Sequence, residues 1–415
     1  MTKKTITKAW TIQFKEMKQE YCDSREECAK LWNDIMKLHK YLRKRKWGWS
    51  SAFDFQKHFK KKGYSLHSQT IQGIISKFFS NLDTTRSNKK QGNNKARYPY
   101  KEKKHYNPIW KGQSIKLKGR YLVLPLKKGM KPLKVKISKE LASSINEGNV
   151  KIVQFEMGYF EGYITLKEEI SIELKDQSNF GIAAMDLGLI HTSFMTNGKE
   201  TLALVGRKMR SVNQNYNKQL SKLVKKQSKC EKYSRRWRQL QKRKKLLAKY
   251  RKNFMRNFYH HVSNHIEDYC LKNKIYTLVF GDIRTISKYK KKRMSKRLNQ
   301  SMSMISLGVL INYVKYKLER HHIAVEPINE AYTTQTCPVC GHRHKPGGRL
   351  YSCKQCNFKA PRDEVGCYNI LNKYMNNGEI KINSLIPKNN TKYLRPIHIG
   401  RSSGDDTPML PSKVA

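Results

Sequence analysis

The chain has 415 residues and a formal net charge of +55 at pH 7, because 86 Lys and Arg stand against 31 Asp and Glu. Self-repulsion of this size destabilises a compact chain unless a polyanion neutralises it, which excludes the balanced surface of an ordinary soluble enzyme. Nucleic acid is the expected polyanion, and a membrane surface is the weaker alternative. Hydrophobic residues make up 38% of the chain and include 23 Tyr, 14 Phe and 6 Trp, which is enough to form cores and argues against global disorder.

The sequence shows no apolar run of about 18 residues, so we expect no transmembrane helix. The N-terminal residues 1–8 lack the apolar core of a signal peptide, so we expect a cytoplasmic protein. The nine cysteines then do not predict disulfides, because thiols stay reduced in that compartment. The length predicts two to three domains.

In the N-terminal half, a strand pattern is interrupted by a helical one. Residues 5–14 alternate as a strand does, and residues 105–170 contain several further runs with a period of two. Between them, from 15 to 85, apolar residues recur every three or four positions, which is typical of helices. This order predicts a β-barrel formed by residues 1–14 and 101–178, with a helical insertion at 15–100.

The C-terminal half predicts an α/β domain. Its elements in chain order are three short strands within 180–205, a long basic helical stretch at 207–270, a buried strand at 275–280, a helix at 307–318, an edge strand at 323–328 and a last helix at 363–375. Pro327 places its strand at an edge, because proline cannot donate a ladder hydrogen bond. This order predicts a ribonuclease-H-like domain over residues 179–335 and 358–376. Residues 377–415 are expected to form a disordered tail.

Two basic runs are candidates for nucleic-acid binding. Between Arg207 and Ile266 there are 20 Lys or Arg and one acid, Glu231. A solvated helix normally carries acids as i,i+4 partners, so a surface that binds phosphates explains this stretch better than a solvated face. The candidate residues in this stretch are Arg235, Arg236, Arg238, Lys242 and Arg243. The second run predicts a loop that admits a substrate strand, and a simple flexible loop is compatible with it; its candidates are Lys290, Lys291, Lys292 and Arg293.

Four cysteines have the spacing of a zinc ribbon. Cys337, Cys340, Cys353 and Cys356 read C-x2-C-x12-C-x2-C, in which each pair can place two thiolates on one tetrahedral ion. We therefore predict a zinc ribbon at residues 336–357 that holds one structural Zn²⁺, since four thiolates leave no open coordination position. The alternative is a chance cluster of cysteines.

Three carboxylates lie at predicted strand and helix ends. Asp186 follows the apolar run Gly181–Met185, Glu330 follows the edge strand, and Asp363 begins the last helix. Carboxylates bind Mg²⁺, and Mg²⁺ can activate water and stabilise a leaving oxygen, so in a chain this basic they suggest a metal-dependent nuclease. Taken singly, each acid is equally well explained as a turn or cap residue, and Asp363 is placed to cap its helix.

Several C-terminal motifs resemble those of the TnpB family, which comprises transposon-encoded RNA-guided DNA endonucleases related to compact type V CRISPR effectors. The motifs are Met185-Asp-Leu-Gly188, Tyr332-Thr-Thr-Gln-Thr-Cys-Pro-Val-Cys-Gly341 and Arg362-Asp363 with Asn369-Ile370. The resemblance covers residues 180–375 by motif. It covers the N-terminal half by layout only, where it implies a wedge barrel with an inserted helical recognition bundle.

The resemblance implies a RuvC-like nuclease domain with an inserted zinc ribbon, and two Mg²⁺ ions held by Asp186, Glu330 and Asp363. It implies a guide RNA and target double-stranded DNA as partners, and a short T-rich motif beside the target, read by the insertion at 15–100. It also implies a prokaryotic protein that joins the nucleoid when it engages DNA. Whether one copy or two bind each RNA, and whether the gene lies in a transposon or beside a CRISPR array, stay open.

The chain departs from the family pattern at the second acid, which usually ends the fourth strand. Gly281 occupies that position, and we favour Glu330 as the replacement because, in the fold that the resemblance implies, the fifth strand lies beside the fourth and ends at the same edge. Asp282 is the alternative, although successive side chains of a strand point to opposite faces. Two other functions stay open: a nuclease-inactive RNA-guided repressor, and a generic basic RNA-binding protein. A transposase is a weaker alternative.

Overall fold

The computed structural model describes residues 2–13, 19–45, 50–126, 129–148, 150–158, 161–172, 181–282, 295–388 and 390–396. The chain divides into two compact units, Met1–Leu174 and Lys175–Ala415. Each unit has its own hydrophobic cores. Among the described residues, no helix is both long enough and apolar enough to span a membrane.

The first unit contains two antiparallel sheets that share one core. The larger has the order β1-β7-β6-β2 and the smaller the order β3-β4-β5. Trp110, Leu122, Phe155 and Ile164 come from both sheets and are buried together. A shared core is what a barrel requires, and closure into a barrel stays a prediction. The described strands are β1 (Thr2–Gln13), β2 (Ile109–Lys111), β3 (Lys116–Lys118), β4 (Tyr121–Leu124), β5 (Leu133–Lys136), β6 (Val150–Met157) and β7 (Glu161–Ile172).

Helices of the first unit fall where the three-to-four-residue period placed them. They are α1 (Gln19–Lys44), α2 (Ala52–Lys60) and α3 (Ser68–Lys90). They pack around Trp32, Ile35 and Phe78, which are buried in a core of their own. A fourth helix, α4 (Lys139–Asn146), was not predicted. It is a short helix in a strand-rich region, capped by Ser138, whose Oγ accepts from the Leu141 amide at 3.3 Å.

The second unit is built on a six-stranded sheet of order β12-β11-β8-β9-β10-β15. Strands β8, β11 and β12 are parallel, and β9 is antiparallel to both β8 and β10. The sheet strands are β8 (Gly181–Asp186), β9 (His191–Thr196), β10 (Thr201–Val205), β11 (Ile275–Gly281), β12 (Ala324–Ile328) and β15 (Lys392–Leu394). Two further short strands, β13 (Leu350–Ser352) and β14 (Lys359–Pro361), pair with each other. The five strands from β8 to β12 were predicted from the pattern of the apolar residues, and β15 was not.

Helices cover both faces of this sheet. The described helices are α5 (Arg207–Ser228), α6 (Arg235–Lys272), α7 (Lys296–Ser303), α8 (Leu307–Leu318) and α9 (Arg362–Met375). Met185 packs in the core formed with α6 and α8, and Ala184 packs in the core formed with α9. Because side chains alternate along a strand, the next residue, Asp186, belongs to the α9 face.

The expectation of a disordered tail from residue 377 is wrong for part of that segment. Lys392–Leu394 form β15, which pairs in parallel with β10, and Leu394 packs against the core beneath it. A three-residue strand is too short to show a period in the sequence, and its pairing partner is almost 200 residues away, so no local signal predicts it. Residues 397–415 lie outside the described part of the chain.

Candidate active site

The structure brings the three predicted carboxylates to one edge of the sheet. Asp186 is the last residue of β8, Glu330 follows the end of β12 by two residues, and Asp363 lies in the first turn of α9. Strands β8, β11 and β12 run in parallel, so their carboxyl ends meet at the same edge, where ligands gather in open sheets.

Glu330 occupies the space that a side chain at position 281 would need. A Cβ built on Gly281 would lie 2.3 Å from Glu330 Oε2 and 3.2 Å from Glu330 Cβ. Gly281 follows Phe280, which packs against α6 and α8, so position 281 faces α9, as Asp186 does. The Glu330 carboxylate therefore reaches, from the segment after β12, the space beside the end of β11 on the α9 face.

The protonation of Asp186 responds to this crowding. Burial first, and then the negative charges of Asp363 and Glu330, raise its pKa to about 7. Gly366 of α9 also lies close to it, since a Cβ there would be 3.5 Å from Asp186 Oδ2. Converging carboxylates that oppose each other's ionisation are a favourable site for a divalent cation, which relieves the repulsion.

His191 is a site residue that sequence reasoning missed. It begins β9, and its Nδ1 lies 2.8 Å from Asp363 Oδ2. Burial alone would raise the pKa of Asp363, but the hydrogen bond and charge of His191, with the charges of Arg362 and Arg349, outweigh it and lower that pKa. An ionised carboxylate only accepts hydrogen bonds, so Nδ1 donates. The sole sequence signal is the position of His191 five residues after Asp186, on the returning strand of a tight hairpin.

Helix α9 holds the loop that carries Glu330. The buried Asn369 donates from Nδ2 to the carbonyl oxygens of Thr333 and Thr336, both at 2.8 Å. One turn further along, Lys373 Nζ donates to the Asn329 carbonyl at 2.9 Å and to the Ala331 carbonyl at 3.4 Å. A single helix therefore carries Asp363 and also fixes the backbone on both sides of Glu330.

The four predicted zinc ligands converge. Cys337 Sγ lies 3.6 Å from Cys356 Sγ, and Cys340 Sγ lies 3.5 Å from Cys353 Sγ. All four sulfur atoms lie within 4.8 Å of one another. Zn–S bonds of about 2.3 Å in a tetrahedron place sulfur atoms about 3.8 Å apart, so the cluster has the dimensions to bind zinc. These separations are too long for disulfides, whose S–S bond is about 2 Å.

The predicted phosphate-binding residues lie on the first turns of α6. Arg235, Arg236, Arg238 and Lys242 are exposed, and Arg243 is half-buried. Helix α6 packs against α5, and the pair is joined near this end by Gln227, whose Nε2 donates to the Trp237 carbonyl at 3.3 Å. The exposed cations are thus on a helix held in place by its partner, and their role stays a prediction. The second predicted group, Lys290, Lys291, Lys292 and Arg293, lies outside the described residues.

Comparison with known families gives two matches. Residues 308–370 match the family described as "Cas12f1-like, TNB domain", and residues 167–287 match the family described as "Probable transposase". The first match contains Glu330, the four cysteines and Asp363. The second contains Asp186 and the α5–α6 pair.

Several similar proteins come from Methanocaldococcus jannaschii, and three of them overlap this chain to different extents. One TnpB-like protein is 26% identical over 382 residues, which are 89% of this chain and 82% of that protein. A second TnpB-like protein is 27% identical over 180 residues, 42% of this chain, and the match spans only 60% of that protein's length. A putative transposase is 31% identical over 83 residues, which are 18% of this chain and 76% of that protein.

Among solved structures, the fold is similar to that of the protein in a Cas12f1-sgRNA-target DNA complex. The TM-score is 0.60 with 14% identity, over 86% of this chain and 83% of that one. At this level of identity the likeness concerns the fold, which is the mixed α/β fold of a compact Cas12 effector.

Proposed function

The chain belongs to the TnpB family, and from that membership we propose that it is an RNA-guided endonuclease that cuts double-stranded DNA. The observation that carries the proposal is the convergence of Asp186, Glu330 and Asp363 at one sheet edge, where burial and the two neighbouring charges raise the pKa of Asp186. A nuclease-inactive relative has no need to keep three mutually repelling carboxylates together.

The proposed catalytic centre is a RuvC-like site for two Mg²⁺ ions. When bound, the two ions would activate the attacking water and stabilise the leaving oxygen of a phosphodiester. Asp186, Glu330 and Asp363 would hold the ions, and the charges of Glu330 and Asp363 that raise the pKa of Asp186 indicate that the three acids are close enough to share them. His191 would hold the Asp363 carboxylate in its ionised form. Asp282 is the alternative second acid.

We propose further that the four cysteines hold one structural Zn²⁺ in a ribbon at residues 336–357. The RuvC-like domain would comprise residues 179–335 and 358–376. Residues 1–14 and 101–178 would form the wedge barrel, and the insertion at 15–100 would read the short T-rich motif beside the target. The shared core of the two sheets and the separate core of α1–α3 support this division.

The guide RNA, paired with the target strand, would lie against the exposed cations at the start of α6. Phosphate contacts of this kind supply most of the affinity and carry no sequence information, so target choice would come from base pairing with the guide. We propose that the protein acts in the cytoplasm of a prokaryotic cell, at the nucleoid.

The test is to express the protein with its flanking DNA, purify it and sequence the RNA that accompanies it. We expect one discrete structured RNA that ends in a variable segment. Loaded with this RNA, the protein should cleave a matching duplex in Mg²⁺, and Asp186→Ala should lose cleavage while it keeps the RNA. The matched control is Asp268→Ala, which removes an exposed acid from α6.

A heterogeneous mixture of host RNA would favour a generic basic RNA-binding protein. A discrete RNA with guided DNA binding, but no cleavage by the unmodified protein, would favour a repressor. Cleavage that survives in Asp186→Ala would contradict the assigned site.

A further inference from the structure

Tyr332 has a backbone conformation that its side chain disfavours. Its φ is +67°, in the left-handed region where bulky residues are rare outliers. Three hydrogen bonds hold it there, because its carbonyl accepts from the Gln335 amide at 2.9 Å, the Thr336 amide at 3.0 Å and the Thr336 hydroxyl at 3.0 Å. Conformations of this kind persist where the surroundings impose them, and they cluster at functional sites.

The strained backbone presents the Tyr332 ring to solvent. The residue is 55% exposed, although it lies two positions after Glu330 in a loop whose neighbours Thr333 and Thr336 are buried. A tyrosine that served the core would turn its ring inward. This ring instead lies on the surface next to a proposed catalytic acid, in a backbone fixed by α9.

The cysteine ribbon supplies a cation that stacks on this ring. The guanidinium carbon of Arg343 lies 4.8 Å from the centre of the Tyr332 ring. Arg343 is itself held in place, because it forms an isolated β-bridge with Thr336. The adjacent pair is also bonded, since the Cys337 amide donates to the His342 carbonyl at 2.9 Å. Lys373 is a second cation close by, and burial followed by the charge of Arg343 lowers its pKa.

We propose that Tyr332 and Arg343 form a stacking platform that takes one unpaired nucleobase of the DNA strand to be cut, beside Glu330. The proposal rests on the nuclease function proposed above. Single-stranded nucleic acid is held by stacking on exposed aromatic rings next to cations that meet its phosphates. A base within a duplex has both faces covered by its neighbours, so a single exposed ring selects an unpaired strand. Arg343 lies over the ring, and the exposed part of Tyr332 is the surface that the base would contact.

The test compares two single-stranded probes that have equal charge. One is an oligodeoxythymidine, and the other is an abasic oligodeoxynucleotide of the same length, so their phosphates contribute equally to binding by the full-length protein at high salt. The ratio of their dissociation constants measures the contribution of the bases. Other exposed aromatic residues contribute equally to this ratio in every variant. A difference in the ratio between variants therefore measures the contribution of the side chain at position 332.

We expect Tyr332→Asn to reduce the preference for the base-containing probe by about fivefold or more, which is the usual effect of one stacked base. Asparagine tolerates the left-handed backbone and lacks the ring. Tyr332→Phe keeps the ring and should keep the preference. Tyr332→Gly is a second ring-free variant with an unstrained backbone, and the melting temperature and zinc content of all three establish that they are folded.

An unchanged preference in folded Tyr332→Asn and Tyr332→Gly would overturn the proposal, and so would an equal loss in Tyr332→Phe. The same probes can be made as RNA, with oligouridine compared with an abasic RNA analogue. If the variants lose the base preference only with the RNA probes, the proposal is also overturned, because the platform would then bind RNA and not the DNA strand. The readout is binding and needs no cleavage. A base preference that depends on Tyr332 in a protein that does not cleave DNA would contradict only the proposed function. Cleavage by a protein whose base preference does not depend on Tyr332 would contradict only the stacking platform.

Discussion

The Glu330 carboxylate lies where a side chain at Gly281 would be, with Oε2 only 2.3 Å from the position of a Cβ on that glycine. The position at the end of β11 is thus filled from the adjacent strand. Gly281 in β11 leaves the space, and the segment after β12 places the Glu330 carboxylate in it. This relationship makes Gly281 as necessary to the proposed site as Glu330 itself.

Gly281→Ala should therefore inactivate the enzyme without unfolding it. The added Cβ would displace the Glu330 carboxylate, and displacement of a catalytic group by about 1 Å can lower the rate about 100-fold. The measurement is the single-turnover rate of guided cleavage. Gly308→Ala is the control, because a Cβ there meets nothing within 4 Å.

A double variant tests the same relationship in the other direction. Gly281→Glu with Glu330→Gly moves the acid back to the end of β11, and it should recover part of the activity that either single change removes. If Gly281→Ala cleaves as fast as the unmodified protein, Glu330 is not the second acid and Asp282 becomes the candidate.

His191→Ala should weaken the metal site through Asp363. The change removes the donor at 2.8 Å from Asp363 Oδ2. Loss of a group that orients a metal ligand typically lowers metal affinity or activity 10- to 100-fold, so the Mg²⁺ concentration for half-maximal cleavage should rise about tenfold or more. His191→Asn, whose Nδ2 can replace Nδ1 as the donor, should stay near the unmodified value. Equal Mg²⁺ requirements in the Ala and Asn variants would mean that the hydrogen bond has no part in metal binding.

Removal of a ribbon cysteine should release the proposed zinc. Cys337→Ser replaces a buried ligand whose backbone also pairs with His342. We expect elemental analysis to show that the variant contains about one equivalent of zinc less than the unmodified protein. The melting temperature of the variant should also be lower. Cys230→Ser is the control, since Cys230 lies outside the cluster, at the end of α5. Zinc content near zero in the unmodified protein, purified without chelators, would contradict the zinc assignment.

Neutralisation of the start of α6 should weaken nucleic-acid binding in a salt-dependent way. In Arg235→Gln with Arg238→Gln, the slope of log K against log salt concentration should fall by about one for each phosphate contact removed. Sequence preference should not change, because phosphate contacts carry no sequence information. Lys272→Gln, at the other end of the same helix, is the control because Lys272 already pairs with Glu200 at 3.2 Å. A salt slope that does not move would leave these residues as an ordinary solvated face.

The convergence of the candidate site residues was predictable from sequence where the signals are local. Asp186 ends an apolar strand, and the four cysteines have a spacing that by itself implies one ion. The choice between Glu330 and Asp282 depended on which strands are neighbours, and the space at Gly281 exists only once they pair.

The supporting residues had no such signal. His191 and Asn369 look like ordinary polar residues in the sequence, and each acquires its role by bonding to a segment more than 30 residues away. The same holds for β15, whose three residues acquire an extended structure only because β10 is there to pair with them.

The strand β15 also determines how the sheet ends. An open edge strand offers unpaired amide and carbonyl groups to any other extended chain, and is a route to aggregation. At one edge, Pro327 in β12 lacks an amide proton, and at the other, β15 covers the longer and more apolar β10 with only three residues of its own. Trimming the chain before residue 390, as is often done with an apparently dispensable terminus, would expose β10. The expected outcome is a protein that associates with itself through that edge and is lost from solution.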